Sequence, residues 1–549
     1  MNKGSRNRRV DKNNVMLAIL LLALLVLAAC TRSTDADVKD ETYARTEPAT
    51  GRKELILAIG SEPEEGFDPT TGWGRYGSPL FQSTLFKRDS EMNIVNDLAT
   101  GYEVDDEGKV WTVTLRGDVV FSDGVPLTAE DVQFTFETAA KSGSVVDLTD
   151  LERVEAVDEH TVRFVLKRPN STFVSILAAT GIVPKHAYSD DYSRHPVGSG
   201  PYRLVQWDRG QQLIVEANPL YYGEKPPFDK LTFLFMDEDT AFAAVRAGQV
   251  DMAQVPAAFA RQNIAGYRLV NLRTVDNRGI MFPYVKAGEV EREDGYPVGN
   301  DVTADIAIRK AVNVAIDRNK LVEGVLEGFG TPAYTAVDGL PWWNEESVIE
   351  DGDPARAIEI LAQGGWSLAS DGIMEKDGRR AEFTLLYPAS DLTRQSLALA
   401  VKDMVRPAGI HIHVEGKSWD ELRKMMHAHA VLFGWGSLDP LEMYHLHAGT
   451  MKGIDYFNPG YYENPVVDAW MEKALTARTE QEAIPYWKKA QWDGKHGLSA
   501  RGDAPWAWLV NIDHLYFVRE NLDIGRPHIQ PHGHGWPVTD NIGEWKWID

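Results

Sequence analysis

Fifteen consecutive apolar residues, Val15 to Ala29, follow a head that carries Lys3, Arg6, Arg8, Arg9 and Lys12. The run is shorter than the ~20 residues that an easy bilayer span needs. A basic head, a short apolar core and a small-residue exit predict a secretion signal over 1–29. Thr31 to Arg52 shows no apolar periodicity, so 30–52 reads as a flexible tether. The folded part opens with the apolar run Glu54 to Ile59, closed by Gly60, which predicts a strand. Trp111 to Arg116 and Thr161 to Leu166 alternate apolar and polar positions, as half-buried strands do. Thr128 followed by Glu130 and Asp131 marks a helix start. Ile308, Val312, Ala315, Ile316 and Leu321 recur at helical spacing and predict a helix within Asp305–Glu327. Asp353-Pro354 opens another helix, which Gly364 and Gly365 end. Strands and helices are mixed throughout, so the fold class is α/β or mixed α+β.

Composition narrows the function. The chain has 549 residues, 43% of them hydrophobic and 25% charged, and Lys plus Arg (57) falls well below Asp plus Glu (81), for a net charge of −24. That balance disfavours nucleic acid and anionic lipid as partners. The single cysteine excludes an intrachain disulfide and a multi-cysteine zinc site. It is Cys30, which closes the apolar run as Leu27-Ala28-Ala29-Cys30. This resembles the bacterial lipobox, in which the cysteine is acylated and becomes the new N-terminus. The resemblance implies a lipid anchor at Cys30, without a transmembrane helix.

A second resemblance covers nearly all of the remaining chain. Trp111 to Val132, running through Phe121-Ser122-Asp123-Gly124 and Thr128-Ala129-Glu130-Asp131, resembles the signature of family 5 extracytoplasmic solute-binding proteins. These are the peptide- and nickel-binding components of ABC importers. Gly198-Ser199-Gly200-Pro201-Tyr202, Asn218-Pro219-Leu220-Tyr221, Gly248-Gln249-Val250-Asp251 and Ile308 to Arg318 follow in the family's order. The resemblance implies a two-lobed fold of the periplasmic-binding-protein type (type II), with an extra subdomain in lobe I. Lobe I is expected at about 53–275 with an insertion at about 99–195, lobe II at 276–499, and a C-terminal return to lobe I at 500–549. It also implies ABC permease subunits driven by cytosolic ATPases and a peptide-like or other small-molecule ligand, with a nickel chelate, or a sensor or chaperone role without transport, as the alternatives. The chain is expected outside the cytoplasm as a lipid-anchored monomer, with no catalytic residue and no cofactor.

Peptide-binding relatives read Trp-x-x-Asp on a cleft strand, with the aspartate on the ligand's ammonium. Here the segment is Trp435-Gly436-Ser437-Leu438-Asp439-Pro440, and Leu438 takes the aspartate's position. The anchor is absent, shifted to Asp439 or supplied elsewhere. Nickel-binding relatives carry an arginine and a tryptophan where this chain has Val145 and Leu148. Trp73 and Tyr76 from one lobe, and Trp435, Ser437, Asp439 and Tyr444 from the other, are the ligand-binding candidates, with core packing as the alternative for the aromatic ones.

Four His-x-His pairs stand out: His411/His413, His427/His429, His445/His447 and His532/His534. Residues i and i+2 share a strand face and could chelate one metal there. His411 and His413 alternate with Ile410, Ile412 and Val414, the pattern of a solvated strand face. His445 and His447 follow the cleft segment and are the first candidates for ligand or metal. His532 and His534, in a Pro- and Gly-rich tail, come after them. Phosphate-loop, nucleophile-elbow and zinc-protease motifs are missing, so a binding protein is expected rather than an enzyme.

Overall fold

The computed structural model describes residues 53–77, 79–143, 146–533 and 536–548. The signal at 1–29, the tether 30–52 with Cys30, and Val145 and His534 lie outside the described residues.

Two large sheets organise the chain. The first has seven strands in the order Tyr267–Leu272, His514–Arg519, Met252–Gln254, Glu54–Ala58, Lys230–Leu234, Gln212–Ala217 and Tyr202–Asp208. Alternation along Glu54–Ala58 sends Leu55 and Leu57 to a core shared with Phe67, Trp73 and Trp536, and Ala58 to one shared with Phe242 and Phe517. The second sheet has six strands: Gly330–Pro332, Trp506–Ile512, Asn277–Met281, Ala430–Trp435, Glu382–Pro388 and His411–Lys417. Its faces carry separate cores, one around Ile280, Leu385 and Leu432, the other around Val431, Phe433, Trp506 and Trp508. Burial on both faces explains why Ala430–Trp435 and Trp506–Ile512 read as nearly continuous apolar runs, whereas His411–Lys417, at the end of the sheet, alternates. Chain continuity crosses between the sheets twice, from Leu272 to Asn277 and back from Ile512 to His514.

A smaller four-stranded sheet, Ala99–Val104, Val110–Leu115, Thr161–Leu166 and Leu151–Asp158, forms a third core with the helix Ala129–Lys141. Thr128 caps that helix, and the Thr128 amide donates to the Asp131 carboxylate at 2.9 Å.

Two expectations are corrected. The periodic stretch 305–327 forms two helices, Ile306–Ala315 and Arg318–Gly324. Ile316 is extended, and Asp317 caps the second helix by accepting from the Lys320 amide. The break lets the buried Arg318 reach the carbonyls of Asn313, Ala333 and Trp508 and the Asp351 carboxylate. Trp435, expected at the start of a strand, ends the strand Ala430–Trp435 instead, because the apolar run that builds it lies upstream.

Candidate functional site

Strands Glu382–Pro388, His411–Lys417 and Ala430–Trp435 are parallel, so their C-terminal ends gather at one edge of the second sheet. Edges of this kind collect ligands, because loops and helix starts converge there. Each strand feeds such a start: Asp391 caps Leu392–Val405, Ser418 caps Trp419–Met425, and Pro440 precedes Leu441–His447. Asn277–Met281 runs antiparallel beside them and sets Arg278 opposite Gly434. Both crossings between the sheets reach this edge.

Two arginines meet over Gly434. A Cβ there would lie 2.5 Å from Arg394 Nη2 and 2.8 Å from Arg278 Nη1, so a larger residue would push the guanidinium groups aside. Arg278 is 8% exposed and Arg394 9% exposed. Arg278 Nη1 donates to Asp276 Oδ1 at 2.5 Å, and Arg394 Nη1 donates to Asp391 Oδ2 at 2.5 Å. The Nε of each, and the indole Nε1 of Trp435, are buried without an acceptor. Burial, reinforced by Arg278, pulls the Arg394 guanidinium down to about 10.

Acidic groups line the adjoining turn. Glu442 lies in the first turn of Leu441–His447, and its carboxylate accepts the amides of Ser437 (3.1 Å) and Gly436 (3.3 Å). Burial pushes its carboxyl up to about 7 and that of Asp439 up to about 6. Asp439 Oδ1 accepts the Leu441 amide at 2.9 Å, and the Asp439 amide donates to Ser437 Oγ at 3.0 Å. Tyr76 approaches from the first-sheet side. Burial raises its phenol, Arg75 opposes that, and Glu442 and Asp276 add to it. The Arg75 guanidinium stands 4.9 Å over the Tyr76 ring. His532 Nδ1 bonds Asp276, and His514 Nε2 lies 3.5 Å from the same carboxylate.

Tyr76, Trp435, Ser437, Asp439 and His532 therefore gather around this edge, whereas four other candidates lie elsewhere. Trp73 is packed in the first-sheet core, with its indole donating to Pro79 O (2.8 Å) and its ring edge-on to Phe67 and Trp536. The Tyr444 hydroxyl is engaged by Thr450 and Glu472. His445 and His447 lie on a helix rather than a strand, so their side chains diverge instead of sharing a face. His445 stacks on Phe457 with ring centroids 4.1 Å apart and donates to Asp147 at 3.1 Å, which holds the Asp147 carboxyl well below its usual range. His447 is fully buried, donates Nδ1–H to Met443 O at 2.9 Å, and is pushed down to about 4 by burial. Among the described residues, no group of three or more His, Cys, Asp or Glu is gathered to hold a metal. A polar groove of about 460 Å³ farther along Trp419–Met425 has self-paired walls, Arg292 with Asp294 and Arg423 with Asp455.

The family model for bacterial extracellular solute-binding proteins, family 5 (middle), matches residues 93–452. The chain belongs to that family. It is 33% identical to protein XP55 of Streptomyces lividans over 489 residues, 85% of each chain. It is 27% identical to the oligopeptide-binding protein AppA of Bacillus subtilis, over 97% of this chain and 98% of that one. Among solved structures, NikZ from Campylobacter jejuni in complex with Ni(L-His) superposes with a TM-score of 0.74 at 25% identity, covering 91% of this chain and all of that one. Family 5 members are two-lobed, extracytoplasmic binding proteins that work with ABC permeases. No helix of the described residues is long and apolar enough to cross a membrane.

Sequence reasoning did not single out Arg75, Arg278, Arg394 or Glu442. Signals for two of them were present: Asp391-x-x-Arg394 at a helix start, and a glycine, Gly434, inside an apolar strand run.

Proposed function

We propose that the protein captures a peptide-like solute at the edge where the two sheets meet and delivers it to an ABC permease. The observation that carries this reading is the pair of buried arginines over Gly434, at an edge where Arg75 and Tyr76 come close to Glu442. A peptide's terminal carboxylate matches such a pair, because a guanidinium fork binds both oxygens of an acid. The name of the Bacillus subtilis relative, an oligopeptide-binding protein, adds support. The segments between Leu272 and Asn277 and around Asp513 serve as hinges between lobe I (53–275, with the insertion at 99–195, and the return at 500–549) and lobe II (276–499). Cys30 supplies the anchor. The test is mass spectrometry of the solute released when the purified protein is denatured. A peptide or peptide conjugate is expected, and a nickel chelate would replace the reading.

A further inference from the structure

The polar groups at this edge are unequally satisfied. Three donors lack acceptors: Arg278 Nε, Arg394 Nε and Trp435 Nε1. The nearby acids are already engaged. Both oxygens of Glu442 accept main-chain amides, and burial favours its protonated form. Asp439 accepts the Leu441 amide, and the Arg88 guanidinium stands near it. Asp276 and Asp391 are held by Arg278 and Arg394. Three buried acceptors also lack a partner, Asn511 Oδ1, Asp513 Oδ1 and Gln530 Oε1, and they belong to the crossings and their flanks, with Thr331 beside Asn511, Arg273 near Asp513, and the Gln530 main chain bonded to Arg273 and Val275. A donor without an acceptor in a buried site calls for a ligand that brings acceptors. An ammonium group would bring three more donors, next to two guanidinium groups.

We propose that the site selects carboxylate-bearing solutes whose amino end is blocked or absent, such as N-acylated peptides and peptide conjugates. The proposal rests on the peptide-like reading above and narrows its substrate class. The acid end of the solute meets Arg278 and Arg394, its carbonyl oxygens take the indole N–H of Trp435, and no protein carboxylate is committed to an ammonium. Asp276 and Asp391 balance the charges of Arg278 and Arg394, so recognition of the acid rests on the free Nε–H donors rather than on net charge.

Calorimetry on the detergent-solubilised full chain tests this with four probes: trialanine, N-acetyl-trialanine, trialaninamide and glutarate. N-acetyl-trialanine is expected to bind within about threefold of trialanine or more tightly, and trialaninamide about tenfold or more weakly. Arg394→Gln is expected to erase the difference between acid and amide. Because that variant removes a buried ion pair, the wild-type comparison of the probes carries the test without it. Loss of about tenfold on N-acetylation, or an amide as tight as the acid, overturns the proposal. Binding of glutarate alone removes the peptide-like reading and leaves the selection for an amine-free carboxylate standing. Binding of none of the four overturns both.

Discussion

Arg394 and Glu442 are displaced from their ordinary ionisation by the same cause, burial, with different consequences. Glu442 moves from an ordinary 4.5 to about 7, so folding favours its protonated form. Its contribution to stability is complete below pH 4.5 and is lost as the pH rises through 7. The full shift corresponds to about 3 kcal/mol. Glu442→Gln should therefore gain stability relative to the wild type between pH 5 and pH 8, measured by urea unfolding at both values. A constant difference would place the carboxyl in a wetter setting than the structure shows. His447 acts at the other end. Burial lowers it from 6.5 to about 4, so its contribution is present above 6.5 and lost as the pH falls through 4. Ligand binding should respond to Trp435→Ala with a loss of about 1–3 kcal/mol, the range of a buried aromatic side chain. An unchanged affinity by calorimetry would remove Trp435 from the site.

Helix Pro465–Leu475 shows how one element depends on another far away in the chain. Its last carbonyls are orphans of the helix geometry. Ser171, from the segment that follows the small sheet, satisfies two of them: its amide donates to Leu475 O and its hydroxyl to Ala474 O, both at 2.8 Å. Ser171→Ala removes only the second bond, and because Ala474 O keeps the Ala477 amide at 3.2 Å the loss is that of one net hydrogen bond, about 0.5–1.5 kcal/mol. Chemical denaturation should show that loss, and a loss below a few tenths would mean that water reaches the helix end. The helix Ala129–Lys141, by contrast, carries its own cap. Thr128→Ala there should cost about 1 kcal/mol by the same measurement.

Across the molecule, the region around the small sheet meets the second-sheet helices directly. Arg88 pairs with Glu480 at 2.6 Å, with both side chains largely buried, and Arg168 reaches Glu472 at 3.3 Å. His445 bonds Asp147, and Met92 packs in the second-sheet core. These contacts tie the small-sheet region to the second-sheet helices, and an arrangement held in this way strengthens apparent affinity where it is the binding-competent one. Arg88→Ala should increase the radius of gyration of the ligand-free protein in small-angle scattering and weaken solute binding. An unchanged radius would show that these contacts do not hold the lobes together. The anchor is tested at the same level: Cys30→Ser should release the protein from membranes on fractionation, and continued association would point to an uncleaved Val15–Ala29 segment.

Local patterns were enough for much of this architecture. Alternation at Val110–Leu115 and Thr161–Leu166, the Thr128 cap and the Asp353-Pro354 start all read correctly, because neighbours in sequence dictate them. The ordered motifs were enough for the family, since they span most of the folded chain. The site depended on the tertiary structure. Arg278 and Arg394 lie over 100 residues apart, and only sheet pairing, with a glycine between them, makes them neighbours. Trp73 and Trp435 are the same residue type, yet one is sealed in the first-sheet core and the other ends a strand half-buried at the edge of the second sheet, and local sequence does not distinguish them. His445 and His447 looked like a chelating pair because their spacing suits a strand. Packing placed them on a helix, where the same spacing turns them apart. Spacing along a chain constrains only the nearest turns, and the chemistry of this cleft is made by contacts between segments hundreds of residues apart.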